Sequence, residues 1–523
     1  MLILCYCMSL MLAIASTDDG TVWNEQAQQE LADALNLTPN IGTAKNVILF
    51  LGDGMGVSTV SAARLYKAQM HNLTEGMSTL TFENFPYVAL SKTYNVDAQT
   101  PDSAGPGTAV LCGVKVNTGT LGVNSNVIRS NCSSEKGNEI LSILHQSKAE
   151  GKSVGVVTTS RVTDATPAAA YAHSAERTWE NDADLNDVDG NCTDIAKQLI
   201  MDNPDIEVIM GGGRRNFFTT PVGLRNDGLN LTQAWETDKS TKGNASYVTS
   251  KSQLDTVDAT NTDYLLGLFA ESYMEYDIDR DLNNNTLDQP SLQEMTRVAI
   301  DILKKNDKGF FLLVEGARID HGHHGNLAKK ALHDTVAFDD AISIAMRELG
   351  TEETLFVVTA DHSHVFGMAG YPETGNDILG LVSPVADDFQ PLDGVPYTSL
   401  FYGNGPGGEL VNGTDGHPGR QNLTGVDTTD AEYVFQAAVH MRFETHSAED
   451  VGIFAIGPMA HLFHGVHDQN YIAHVMAYAS CVGDNQDHCV VAEDDTAPAS
   501  GVSHTLAQSL ILVFTLHHIN IYL

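Results

Sequence analysis

Positive charge is what this chain has least of. Lys and Arg number 29 against 67 Asp and Glu, a formal net charge of −38 with His neutral. That balance excludes nucleic acid as a partner, because a phosphate backbone is bound by stripes of Lys and Arg. No H-E-x-x-H motif occurs, which argues against a zinc protease. Internal repeats and long low-complexity stretches are absent as well. The apolar run nearest the C-terminus, Leu510 to Phe514, is too short for a comfortable membrane span and is followed by His517 and His518.

What remains is the composition of a large globular protein: 523 residues, 42% apolar and 18% charged, with 45 Gly and 3 Trp. Length alone suggests about three domains, a prior that large α/β enzymes often break. Met1 to Ala15 is apolar and ends in the small-x-small pattern Ala13-Ile14-Ala15, so residues 1–15 read as a secretory signal peptide despite lacking Lys or Arg. Its removal leaves Cys112, Cys132, Cys192, Cys481 and Cys489, an odd set in which at least one stays unpaired. Cys481 and Cys489 are close enough in sequence to staple a short loop, Cys132 and Cys192 would close a longer one, and Cys112 reads as a buried small hydrophobe. Nine N-glycosylation sequons, at Asn36, Asn72, Asn131, Asn191, Asn230, Asn244, Asn284, Asn412 and Asn422, agree with secretion. In the tail, 491–523, small residues, a polar spacer and a short apolar run have the layout of a lipid (GPI) anchor signal, with a plain secreted tail as the alternative.

The richest stretch is Phe310 to Asn326. Five apolar residues, Phe310 to Val314, precede Glu315-Gly316-Ala317-Arg318-Ile319-Asp320-His321-Gly322-His323-His324. The run predicts a strand buried on both faces, with charged residues at its carboxyl end, where open α/β sheets bind ligands. One helical turn would put Asp320 and His324 on one face, suited to zinc; a solvated His-rich loop is the bland alternative. Asn46 to Leu51 is a second buried strand, and its turn Gly52-Asp53-Gly54-Met55-Gly56 completes neither dinucleotide nor P-loop pattern. Val154–Thr159, Ile206–Met210 and Thr354–Thr359 look alike, alternating with helical stretches such as Ser291–Lys305 and Leu327–Arg347, so a mostly parallel α/β sheet with helices on both faces is expected. The strand ending at Thr359 delivers Asp361, His362 and His364. A Gly/Pro-rich stretch, 366–430, reads as an inserted subdomain, after which Glu444-Thr445-His446 precedes another buried run, Val451–Ala455. A helical N-terminal arm spans Asn24 to Leu35.

Asp53, Glu315, Asp320, His324, Asp361, His362 and His446 are too many ligands for one metal, and adjacent cations serve phosphoryl transfer. Ser103, in Thr100-Pro101-Asp102-Ser103-Ala104-Gly105, precedes a run of small residues that suits a helix start; taken alone it is more often an N-cap than a nucleophile.

Together Gly52–Gly56, Pro101–Gly105, Tyr171-Ala172-His173, Val314 through His324, Thr359–His364 and Thr445-His446, spread over about four hundred residues, resemble the animal alkaline phosphatases. The resemblance implies two zinc ions and one magnesium per subunit: Asp320, His324 and His446 on the first zinc, Asp361, His362 and Asp53 on the second, and Asp53, Thr166 and Glu315 on the magnesium. It implies Ser103 as the phosphorylated nucleophile, Arg177 as a clamp on two phosphate oxygens, His321 on the phosphate side, and Asp164 and His364 behind the ligands. It further implies broad phosphomonoester hydrolysis with an alkaline optimum, a crown-like insert (366–430), a homodimer built on the arm (16–40) and that insert, and one catalytic domain (41–365 and 431–490). His323 has no assigned role and is expected to face solvent.

Three departures accompany the likeness. Asp164 stands where animal members usually have His and Thr166 where they have Ser, so Asp164-Ala165-Thr166-Pro167 resembles bacterial members. Pro106 and Gly107 enter a helix, within a first turn that tolerates Pro. Ala270 stands where a Glu calcium ligand is expected, and Phe269 and Asp288 match only in part, so the resemblance does not extend to an added calcium. The competing readings are a phosphodiesterase or sulfatase of the same superfamily, disfavoured by Asp102-Ser103 with Arg177, and a catalytically dead zinc-binding or adhesion protein.

Overall fold

Strands that are apolar at every position need cover on both faces, and the central sheet supplies it. The computed structural model describes residues 20–489 apart from 74–77, 187, 189, 385 and 413–417. The expected signal peptide and anchor signal lie outside the described residues. Ten strands run in the order Gly465–Asp468, Tyr87–Lys92, Val451–Ile456, Thr354–Ala360, Asn46–Gly52, Phe310–Gly316, Ser153–Arg161, Val208–Gly212, Tyr264–Leu268 and Ala245–Val248. All are parallel except Val451–Ile456, which opposes both its neighbours.

Asn46–Gly52, Phe310–Gly316 and Thr354–Ala360 are buried at every position. Alternate side chains divide between two cores. Ile48, Phe50, Phe310, Leu312, Val314, Phe356 and Val358 meet the helices Val57–Met70, Leu292–Leu303 and Ala328–Leu349. On the other face, Val47, Leu49, Phe311, Leu313, Leu355 and Val357 meet Ala104–Cys112, Ile143–Ala149 and Tyr471–Ser480. Each such side chain contributes about 1.5–3 kcal/mol on burial.

Register aligns the strand ends. Gly52 lies opposite both Gly316 and Ala360, and Glu315 opposite Leu51 and Thr158. Asp53, Glu315 and Asp361 therefore emerge side by side. Because Val451–Ile456 runs the other way, it begins at the edge where its neighbours end, and the chain preceding it carries His446 there.

Chain contacts gather Met1–Gln486 into one unit, which holds all of these elements, and Asp487–Leu523 into another. In the 366–430 stretch, Phe366–Met368 pairs with Leu400–Gly405, and Phe366, Leu400 and Tyr402 continue the first core. The N-terminal helix, Thr21–Asn36, buries no residue and exposes Trp23, Leu31 and Leu35. Cys132 and Cys192 form a disulfide amid Val123, Val127 and Trp179. Cys481 and Cys489 are each disulfide cysteines, and Cys112 is a buried free thiol.

The turn into the Phe310–Gly316 strand depends on Gly309, whose φ is +83° and whose added Cβ would stand 1.9 Å from the Lys45 carbonyl oxygen. Gly309→Ala is expected to lose about 2–3 kcal/mol of stability. Denaturant unfolding of the pure variant checks this, and an unchanged midpoint would show that the turn gives way freely.

Candidate active site

Helix, strand end and loop bring the site together at the aligned edge. Arg318–His324 is helical, and its one turn sets Asp320 and His324 on the same side, with His324 Nε2 3.4 Å from Asp320 Oδ1. His446 enters from across the sheet, its Nε2 3.3 Å from the same oxygen and 3.1 Å from His324 Nε2. Two imidazole nitrogens at that distance compete for one proton unless their other nitrogens are engaged. They are: His324 Nδ1 donates to the Glu444 carbonyl at 2.6 Å, and His446 Nδ1 donates to the Pro101 carbonyl at 2.7 Å. Both Nε2 lone pairs are thus left facing each other and a carboxylate, the arrangement a bound cation resolves.

A second such point lies beside it. His362 Nδ1 faces the Ser363 carbonyl at 3.2 Å, which leaves Nε2 3.2 Å from Asp361 Oδ2, 3.5 Å from Asp53 Oδ1 and 3.3 Å from Ser103 Oγ. Asp53 Oδ1 and Asp361 Oδ2 are buried with no hydrogen-bond partner. Such orphans are costly in a fold with nothing to neutralise them. A third all-oxygen group follows. Thr166 Oγ1 is likewise buried and unpartnered, and Glu315, beside Asp53 on the next strand, takes a 2.5 Å bond from Thr158 Oγ1. Nitrogen with carboxylate suits zinc, whereas oxygen alone suits magnesium.

Electrostatics tell the same story. Burial and then the charges of Asp361, Asp320 and Glu315 push the Asp53 carboxyl well above the usual range. Burial raises Glu315 to about 8 and Asp361 to about 6. Asp320 goes the other way: burial opposes its charge, but His324, His364 and His446 outweigh it and hold it well below. His364 uses both ring nitrogens, at 2.8 Å to Asp320 Oδ1 and 2.5 Å to Glu444 Oε2, and these two carboxylates overcome burial to raise it to about 10. It stands behind Asp320 as a cationic brace.

The Ser103 end of the site is equally built. Ser103 stands at the N-cap position of Ala104–Cys112 with its hydroxyl making no capping bond, and the helix includes Pro106 without losing the Gly107 N–H bond to the Ser103 carbonyl, 2.9 Å. Arg177 is held by Asp102 at 3.2 Å and Asp164 at 3.3 Å. Asp164 also caps Ala165–Ala169 and meets Arg161 at 3.1 Å, and burial notwithstanding, Arg161 and Arg177 keep it strongly acidic. Against the ring of Tyr273, centroids 4.1 Å apart, burial pushes the His321 imidazole down to about 4, and its Nδ1 has no partner. Asp53, Ser103, Asp164, Arg177, Asp320, His321, His324 and His446 line one cavity of about 600 Å3.

His323 is corrected. It is fully buried, between Thr59 Oγ1 and Tyr402 Oη at 3.0 Å each, because the Val57–Met70 helix and the Leu400–Gly405 strand cover the side of its helix that the sequence leaves open. Glu444 is a residue sequence reasoning missed: its carboxylate braces His364 and its carbonyl orients His324. Its place directly before Thr445-His446 was the only available signal.

The alkaline phosphatase family model matches residues 44–482. This chain belongs to the alkaline phosphatase family. It is 51% identical to the tissue-nonspecific alkaline phosphatase of Felis catus over 95% of each chain, and 48% identical to that of Homo sapiens over 98% of this chain and 97% of the other. Among solved structures, a mutant alkaline phosphatase from the Antarctic bacterium TAB5 with magnesium in its M3 site shares the fold, at 24% identity and TM-score 0.57, over 85% of this chain and all of the other. The chain is accordingly a metal-dependent phosphomonoester hydrolase.

Two outcomes follow for the metals. A carboxyl raised in the fold adds stability below its unfolded pKa and loses it as pH climbs through the folded value. The chelator-stripped enzyme is therefore expected to melt at falling temperature between about pH 4 and pH 8, the span of Asp361 and Glu315. Restored cations should flatten that slope, which calorimetry reads; a stripped enzyme insensitive to pH there would contradict it. Glu444→Gln should release metal to a chelator at least about 10-fold more readily, measured as metal retained after dialysis.

Proposed function

We propose that this enzyme hydrolyses phosphomonoesters of broad structure by double displacement through a phosphoserine at Ser103. The observation that carries the reading is the set of three histidines, His324, His362 and His446, each with Nδ1 turned to a backbone carbonyl and Nε2 turned to a buried carboxylate, His362 Nε2 also reaching Ser103 Oγ.

Asp320, His324 and His446 would hold one zinc, Asp361, His362 and Asp53 a second, and Asp53, Thr166 and Glu315 a magnesium, with Asp164 reaching the last through water. When bound, these cations supply Lewis acidity that neutralises the carboxylates and favours the ionised serine and the leaving alkoxide. The chain does the positioning. Arg177, held flat between Asp102 and Asp164, offers its planar fork to two phosphate oxygens. His321 lines the phosphate side. Ser103 Oγ bonds to phosphorus as the ester P–O bond opposite breaks and the alcohol departs with a proton; water then splits the phosphoserine, freeing phosphate and restoring the hydroxyl. Contacts centre on the phosphoryl group, which supports broad specificity, and the need for an ionised serine supports an alkaline optimum.

The same reading covers the cellular setting. Asn36, Asn72, Asn131, Asn191, Asn230, Asn244, Asn284 and Asn422 are exposed and open to glycosylation; with Asn412 they support a secreted glycoprotein. Among the described residues no helix is long and apolar enough to cross a membrane; the small residues, polar spacer and apolar run of 491–523 support a GPI anchor on the extracellular face. The uncovered apolar side chains of Thr21–Asn36 support a homodimer.

Ser103→Ala tests the mechanism. It should keep its full metal content and lose turnover of a chromogenic monoester by at least three orders of magnitude, roughly the loss seen when a nucleophile is removed. Zinc lost along with activity would make Ser103 structural, and activity indifferent to chelator would end the metal reading.

A further inference from the structure

One wall of the cavity takes no part in the hydrolysis just described. Tyr273, Tyr276 and Arg318 line it together with Ser103 and Arg177. Arg318 opens the helix that carries Asp320 and His324, so the turn that builds the metal site also fixes the base of this arginine. Its guanidinium carbon lies 3.7 Å from the Tyr276 ring centroid and 5.4 Å from that of Tyr273.

Of the two half-buried arginines whose Nε has no partner, Arg215 and Arg318, only Arg318 lines this cavity. Arg161, Arg177, Arg225 and Arg280 each reach a carboxylate. Arg318, half-buried, makes neither an ion pair nor a hydrogen bond with any described residue, and its Nε is buried without a partner. Asp334 feels its charge through space without meeting it. In a chain with 67 acidic residues, an arginine turned toward a cavity and left without a carboxylate is conspicuous. An unanswered guanidinium costs free energy. Stacking on Tyr276 returns part of that while leaving the in-plane N–H donors open. Those donors form the fork that recognises carboxylate and phosphate oxygens.

Resting on the reading that Ser103 and Arg177 hold the transferred phosphoryl group, we propose that Arg318, stacked on Tyr276, is a second oxyanion-recognition point that takes a carboxylate or phosphate carried on the alcohol part of the substrate. The enzyme then accepts many monoesters but grades them, favouring those with a second acidic group able to reach this wall. Binding there acts before the chemical step and appears in KM.

The test uses the metal-loaded enzyme and its Arg318→Gln and Arg318→Lys variants with three probes: phenyl phosphate, 4-carboxyphenyl phosphate and 1,4-phenylene bisphosphate. Gln keeps the first carbons of the stem and removes the charge. Arg318→Gln should lower kcat/KM about tenfold, the value of one charge-assisted hydrogen bond, on at least one doubly acidic probe, through KM, while phenyl phosphate stays within about twofold. Arg318→Lys should recover part of the loss. Which of the two acidic probes responds assigns carboxylate, phosphate or both. Equal losses on all three probes would make Arg318 structural and overturn the proposal, as would no loss on any. Failure of the unaltered enzyme to turn over phenyl phosphate would instead bring down the phosphatase reading beneath it.

Discussion

Mutual repulsion among buried carboxylates is the constraint on which this structure turns. Asp53, Glu315, Asp320 and Asp361 are buried at one edge of one sheet, and a fold that relied on its own side chains would protonate or expel most of them. Asp320 alone is answered from within, by three histidines. The others keep unpartnered oxygens or raised affinities for protons. Their repulsion is stored by a rigid frame: parallel strands buried on both faces and ending in register. A looser edge would let the acids move apart, and the sites for cations would go with them.

The histidines extend that frame to the tautomer. His324, His446 and His362 each spend Nδ1 on a carbonyl drawn from a different part of the chain, Glu444, Pro101 or Ser363. Their lone pairs are therefore aimed before any cation arrives. Asp164 shows how a substitution in the family pattern is absorbed. This carboxylate is gripped by Arg161 and Arg177, so it steadies Arg177 and needs no cation of its own to stay ionised.

Much of the frame was legible in the sequence because burial on both faces leaves unbroken apolar runs. Phe310–Val314, Asn46–Leu51 and Thr354–Thr359 each became a central strand with its acidic and histidine residues at the expected end. His323, Glu444 and Arg318 were not legible in the same way. His323 sits one residue from a ligand in a run of histidines, and only packing by the Val57–Met70 helix and the Leu400–Gly405 strand decides that it faces inward. Glu444 acts through His364, eighty residues away, a pairing no local pattern encodes. Arg318 looks like any surface arginine until its neighbours prove to be two tyrosines and no acid.

Local sequence was enough for the parallel α/β architecture and for the acids, histidines and serine that gather at its edge, because hydrophobic periodicity and side-chain chemistry are local properties. Packing settled which nitrogens point inward, which acids are braced and that the arginine on the cavity wall stays unpaired. Those follow from burial and from distances of about 3 Å between segments hundreds of residues apart, which a linear order of residues does not contain.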